Sequence, residues 1–271
     1  MKKVEVKPSV MSSRDWLVEV ANYTRHVWTE RIETQVGLTP REFCLSGLFL
    51  RVGWWMGSMK KLASPFDVQA LSCCARSLVE TTVDMLLIHM DKQADSAERM
   101  KCWEESARLK AAEGVLNHFG STSNLPEYVK PQSDFVNAKQ STIRNKRIEY
   151  WNGKHPPRWT GNRNLRKDIQ AVDSHFDWLK RDLGVSLTEY HDTNYQFLHW
   201  YVHGSGLMGI ANVSVEGHLL WGNQCYEVSA RLALICAKVI QIDYGFFASS
   251  PAAETTWAAL MQRSHPMREP E

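Results

Sequence analysis

The chain has 271 residues, enough for one large domain or two small ones with a core that needs no metal or disulfide staple. Hydrophobic residues are 44% and charged residues 23%, which excludes a wholly disordered or fibrous chain. The near-neutral balance, 32 basic against 30 acidic residues, excludes a polybasic nucleic-acid binder and leaves only a local basic patch to consider.

Helix signals then follow in chain order. The opening MKKVEVKPSV has lysines but no apolar stretch behind them, so no secretory signal is read. Ser12-Ser13 precede Trp16, Val20, Tyr23 and Val27 at helical spacing. Thr39-Pro40-Arg41-Glu42 is a capping box with Pro at the first helical position. The apolar stretch it opens, Phe43 to Met59, is broken by Arg51 and glycines, which argues against a membrane span. Ser64-Pro65-Phe66-Asp67 starts a helix expected to reach about Asp91. Further helices are expected from about Ala94 to Gly120 and from Pro126 to Tyr150. The second carries Lys139, Arg144, Lys146 and Arg147, read as a solvated face before a phosphate-contacting one.

Residues 151–164, WNGKHPPRWTGNRN, are the clearest loop, because Pro156-Pro157 cannot be helical. The chain holds 11 Trp against 15 Gly, and Trp151 and Trp159 fall in this loop, where packing into the core is favoured over covering a site. A helix from Asn164 to Leu183 is expected to stop at Gly184, and Ser186-Leu187-Thr188-Glu189 caps the next, to His203. Val213 to Trp221 alternates apolar with polar and fits a small β-hairpin. A last core helix spans Gln224 to Phe247. The class is all-α, a single helical bundle (64–250) with an N-terminal helical extension (1–63) and a flexible tail (251–271). None of the six cysteines forms a C-x-x-C pair, so free thiols in a reducing cytoplasm are expected.

Two stretches carry candidate chemistry. In ALSCCARSLVETTVDMLLIHMD, Arg76 and Glu80 stand i,i+4 in a broadly apolar helix. Part-buried charges need partners, so they read first as a pair locking helix register and second as an arginine held for an anion, with Glu80 orienting it or acting as a base. In YHDTNYQFLHWYVHGSG, Asp192, Tyr195, His199 and His203 follow 3-4-4 spacing on one face, with Tyr190, Asn194 and Ser205 nearby. His203, at the helix end, suits either a capping role or acid–base work near neutral pH. His199 and His203 could chelate a metal with a third ligand, although the zinc-protease H-E-x-x-H is absent. No Walker or G-x-G-x-x-G loop occurs, and no cofactor is expected.

The two stretches together resemble a family of uncharacterised bacterial domains, with an A-R-x-x-x-E helix and a later Y-x-x-x-Y-x-x-L-S-x-x-V-H-G-S helix, matched over about Ala70 to Ser205. His199 departs from that pattern, where the family commonly has a small hydroxyl residue. The V-H-G ending also resembles the HEPN superfamily, helical bundles that include RNases of defence systems. That resemblance implies a metal-independent RNase or nucleotide-acting protein of a defence or stress system, with RNA as partner and a homodimer. Its Arg-to-His spacing is not intact here, since no arginine lies between Ser186 and His203, so Arg76 would have to supply the cation. The leading reading is a non-catalytic interaction or sensor domain with a buried Arg76, Glu80 and His203 network and a protein partner. The HEPN-like enzyme is the alternative, and a metal site on His199 and His203 the third.

Overall fold

A computed structural model of the chain describes residues 13–33, 35–64, 67–91, 95–120, 125–162, 164–203, 213–245 and 251–262. Among them there is no strand, and the fold is all-α. The helices are α1 (Ser13–Val27), α2 (Pro40–Met59), α3 (Val68–Met90), α4 (Ser96–Phe119), α5 (Lys130–Trp151), α6 (Leu165–His175), α7 (Asp177–Leu183), α8 (Leu187–Tyr190), α9 (Gln196–His203), α10 (Val215–Asp243) and α11 (Pro251–Gln262). Two π-helical turns, Trp28–Ile32 and His191–Tyr195, follow α1 and α8. No helix among the described residues is long and apolar enough to cross a membrane.

Residues 1–92 with 169–271 form one compact unit, and residues 93–168 a second. In the first, α10 packs against α1, α2 and α3, and α9 against α3. Its centre is largely apolar: Leu78, Val79, Val83 and Leu86 of α3 and Leu232, Leu234, Ile235 and Val239 of α10 are all buried. The stretch expected as an extension supplies the same unit, since Leu17, Val20, Leu45 and Phe49 are buried too. Where a tail was expected, α11 forms, with Leu260 and Met261 buried. Trp257 donates its indole N–H to Leu234 O at 2.8 Å, and Trp16 donates to Leu260 O at 3.0 Å.

The helix starts obey local chemistry. Thr39 takes the extended conformation, accepts from Glu42 N–H, and has its own N–H bonded by the Glu42 carboxylate at 2.8 Å. Ser214 caps α10 by accepting from Gly217 N–H at 3.1 Å. The small β-hairpin expected over Val213–Trp221 is therefore not formed: α10 begins at Val215, nine residues ahead of the expected Gln224. The short alternation there gives way to a capped start with Glu216 in the first turn, where a negative charge suits the helix dipole. The helix expected to run unbroken to Leu183 is interrupted at Phe176, whose ring stacks on His89 at 5.5 Å.

Arg41 and His89 grip Asp243 within this unit. Arg41 reaches the carboxylate at 2.9 Å and His89 Nδ1 at 2.7 Å, while Arg41 also donates to Ile88 O and His89 O. Burial alone would raise the Asp243 carboxyl, but the hydrogen bonds and charges of His89 and Arg41 outweigh it and hold the group below its ordinary value.

In the second unit α4 and α5 pair, and the basic face of α5 is partly spent on α4: Arg144 meets Glu113 at 3.0 Å and Lys146 meets Glu98 at 3.2 Å. The proline loop is packed. Trp159 is buried, Trp103 donates to Pro156 O at 2.9 Å, and the buried Asp168 accepts from Arg158, Thr160 and Asn162. One carboxylate thus organises a loop that has no repeating backbone hydrogen bonds of its own.

Candidate functional site

Arg76 and Glu80 occupy one stripe of α3 at the edge of its apolar face, as their i,i+4 spacing requires. The residues they meet come from the second π-helical turn and α9, more than a hundred positions later. Arg76 Nε donates to Glu80 Oε1 at 3.0 Å and to the Tyr195 hydroxyl at 3.2 Å. The Tyr195 hydroxyl in turn donates to Glu80 Oε1 at 2.5 Å. Arg76 Nη1 lies 3.3 Å from His199 Nδ1. The guanidinium also sits 5.7 Å from the Tyr195 ring centre, and His191 stacks on that ring at 5.0 Å.

Arg76, Glu80, Tyr195 and His199 therefore come together, whereas the network expected from the sequence was of Arg76, Glu80 and His203. The cluster is less buried than expected, however. Tyr195 is buried, but the Arg76 side chain is 23% exposed, that of Glu80 is 36% exposed, and His199 is exposed. Long polar side chains thus reach this α3–α9 contact from its solvent side.

The charges are settled. Burial opposes charge on Arg76, but Glu80 and Tyr195 outweigh it and hold the guanidinium protonated. Burial, then the Glu80 carboxylate, push the Tyr195 phenol far above its ordinary value against a smaller pull from Arg76, so it stays a neutral donor. Arginine has donors only. In the 3.3 Å contact it is therefore His199 Nδ1 that accepts from Arg76. The nitrogen lone pair that would act as a base or bind a metal at Nδ1 is occupied by a cation's N–H.

The other candidates are placed differently. Tyr190 and Asn194 are not brought to Arg76: they line a separate cleft with α10. His203 ends α9, but its side chain, and all of Ser205, lie outside the described residues, as does any approach of His203 to Arg76. Among the described residues no group of three or more His, Cys, Asp or Glu could hold a metal ion. Sequence reasoning missed the Arg41–His89–Asp243 group, whose partners lie far apart in the chain and leave no local pattern. It also missed the π-helical turn that carries Tyr195.

A family model described as a family of unknown function (DUF5677) matches residues 62–216, more than half of the chain. The matched stretch runs from just before α3 to the first turn of α10 and includes every candidate residue. No curated protein and no solved structure matches the chain.

Proposed function

The chain belongs to that family of unknown function, and from this premise we propose that it is a non-catalytic interaction or sensor domain. Arg76, Glu80, Tyr195 and His199 act as a clamp that seats α9 on α3. The carrying observation is that these four groups bond one another. Arg76 Nε is shared by Glu80 and Tyr195, the phenol is held neutral by burial and then by Glu80, and His199 Nδ1 is taken by Arg76. A catalytic base needs a lone pair that reaches substrate, and a phosphate site needs cationic charge that is not already balanced by a carboxylate.

A second reading, the HEPN-like metal-independent RNase, draws on one observation: Arg76 and His199 both touch solvent. In it Arg76 binds the scissile phosphate and His203 is the acid–base group. Incubation of the purified chain with single-stranded RNA separates the two readings. The clamp predicts no cleavage above that of Arg76→Ala. Cleavage that vanishes in both Arg76→Ala and His203→Ala, with helical circular dichroism retained, overturns it in favour of the enzyme.

A further inference from the structure

A cleft of about 370 Å³ opens between the Leu183–Val185 turn, the Tyr190–Leu198 stretch and α10. Its size lies in the lower part of the range for small-molecule sites. None of the four clamp residues lines it. Its uncharged walls are of two kinds. Leu198, Val228 and the rings of Tyr190 and Trp221 are apolar, while Asn194 and Gln224 bring two side-chain amides. We infer that this cleft is a binding site for a neutral, planar aromatic molecule that carries a carboxamide or lactam edge.

The ring platform is built in advance. Trp221 donates its indole N–H to Ser72 Oγ at 3.0 Å and stacks on Tyr201 with centres 5.8 Å apart and planes 17° from parallel. Phe197 closes on it at 5.7 Å. A ring fixed on one face and at its N–H loses little freedom when a flat ligand lies against the remaining surface.

The edge is read by amides. The Asn194 amide donates one N–H to Thr193 Oγ1 at 2.8 Å, which leaves its carbonyl oxygen and second N–H. A primary amide is both donor and acceptor, so its best complement is another amide edge, bonded reciprocally. Burial keeps the Tyr190 phenol protonated, so it can add a donor.

The charge in the cleft selects a neutral ligand. Arg231 is bonded to Glu227 at 2.9 Å and to Leu183 O at 2.9 Å, so its positive charge is balanced in place. A carboxylate or phosphate entering there meets Glu227 without a spare cation. Covalent capture is also disfavoured, because burial pushes the Cys225 thiol up to about 12 and leaves it a thiol at neutral pH.

A ligand here would press on Asn194 and Leu198, which alternate along the chain with the clamp residues Tyr195 and His199. The inference rests on the non-catalytic reading in one respect: the ligand is held and not converted. Nicotinamide is the probe, with nicotinate as the charged control. In NMR titrations of the full chain, nicotinamide is expected to shift the Trp221 indole and the Asn194 and Gln224 amide signals saturably. Nicotinate is expected to leave them in place. Gln224→Leu, at an exposed position, and Asn194→Leu should each weaken binding several-fold. The absence of saturable shifts up to the solubility limit, or equal binding of nicotinate, overturns the cleft assignment. The amide is also assayed for hydrolysis to nicotinate and ammonia. Intact ligand after saturable binding supports both inferences. Hydrolysis of ligand bound in the cleft leaves the site standing and overturns the non-catalytic reading instead.

Discussion

Combining Arg76→Ala with Tyr195→Phe in a double-mutant cycle isolates the contact that joins α3 to the π-helical turn leading into α9. Arg76→Ala removes an i,i+4 pair with Glu80 whose partners are 23% and 36% exposed, worth only about 0.3–0.5 kcal/mol after solvent screening. It also removes the charged hydrogen bond to Tyr195, worth about 1 kcal/mol once a fully buried value is discounted for the exposed guanidinium. The cation–π contact at 5.7 Å and the long, exposed bond to His199 together add about 0.5 kcal/mol at a site this open. The single variant should therefore lose about 2 kcal/mol, or roughly 4–8 °C in melting temperature at this chain size. Tyr195→Phe keeps the ring and its stack on His191 but deletes the hydroxyl that bridges Arg76 and Glu80. In the doubly substituted chain the two losses should fall short of their sum by about 1 kcal/mol, the signature of a shared contact. Urea unfolding followed by circular dichroism measures all four corners. Additivity within about 0.5 kcal/mol would refute the idea that the two residues act as one clamp.

Three further outcomes follow from the fold. Because the folded carboxyl of Asp243 is held low, its stabilisation is present above the unfolded value of about 3.9 and is lost as pH falls through the lower folded value. The stability gap between wild type and Asp243→Asn should thus be full at neutral pH and shrink below about pH 4, and an undiminished gap in acid denaturation curves contradicts the assignment. Asp168→Ala removes the buried carboxylate that Arg158, Thr160 and Asn162 share and should cost about 3 kcal/mol, with new protease cleavage within residues 152–164; an uncut loop would show that this carboxylate does not organise it. Ser214→Ala removes the cap of α10 and should cost about 1 kcal/mol, whereas no change in urea midpoint would mean that the helix does not depend on this start.

The legible parts of the molecule were those governed by near neighbours in the chain. Thr39-Pro40-Arg41-Glu42 predicted α2 because all of its bonds close within four residues. Arg76 and Glu80 stood out because charge in an apolar helix demands a partner, and the stripe holding Tyr195 and His199 followed from helical spacing. Which helix that stripe faces is a long-range fact, and no spacing rule states it. The misread parts were settled by distant contacts. Phe176 breaks a helix while stacking on His89, and Arg41 finds Asp243 about 200 positions away at the far end of α10. Val213–Trp221 misled for a different reason: a short alternation imitates a strand, and the signal that mattered was Ser214 with Glu216 behind it. Trp151 ends α5, Trp159 is buried in the loop that follows, and Trp16 and Trp257 bond to backbone carbonyls. The tryptophan count thus reflects several separate anchoring points in the fold.

Hydrogen exchange of the amides of residues 196–203, compared between wild type and Arg76→Ala, tests the clamp most directly. A loss of about 1–2 kcal/mol in local opening should speed exchange in α9 by roughly 5- to 30-fold. That acceleration is expected in α9 while the buried centre of α10 stays protected. Unchanged exchange in α9 would contradict it.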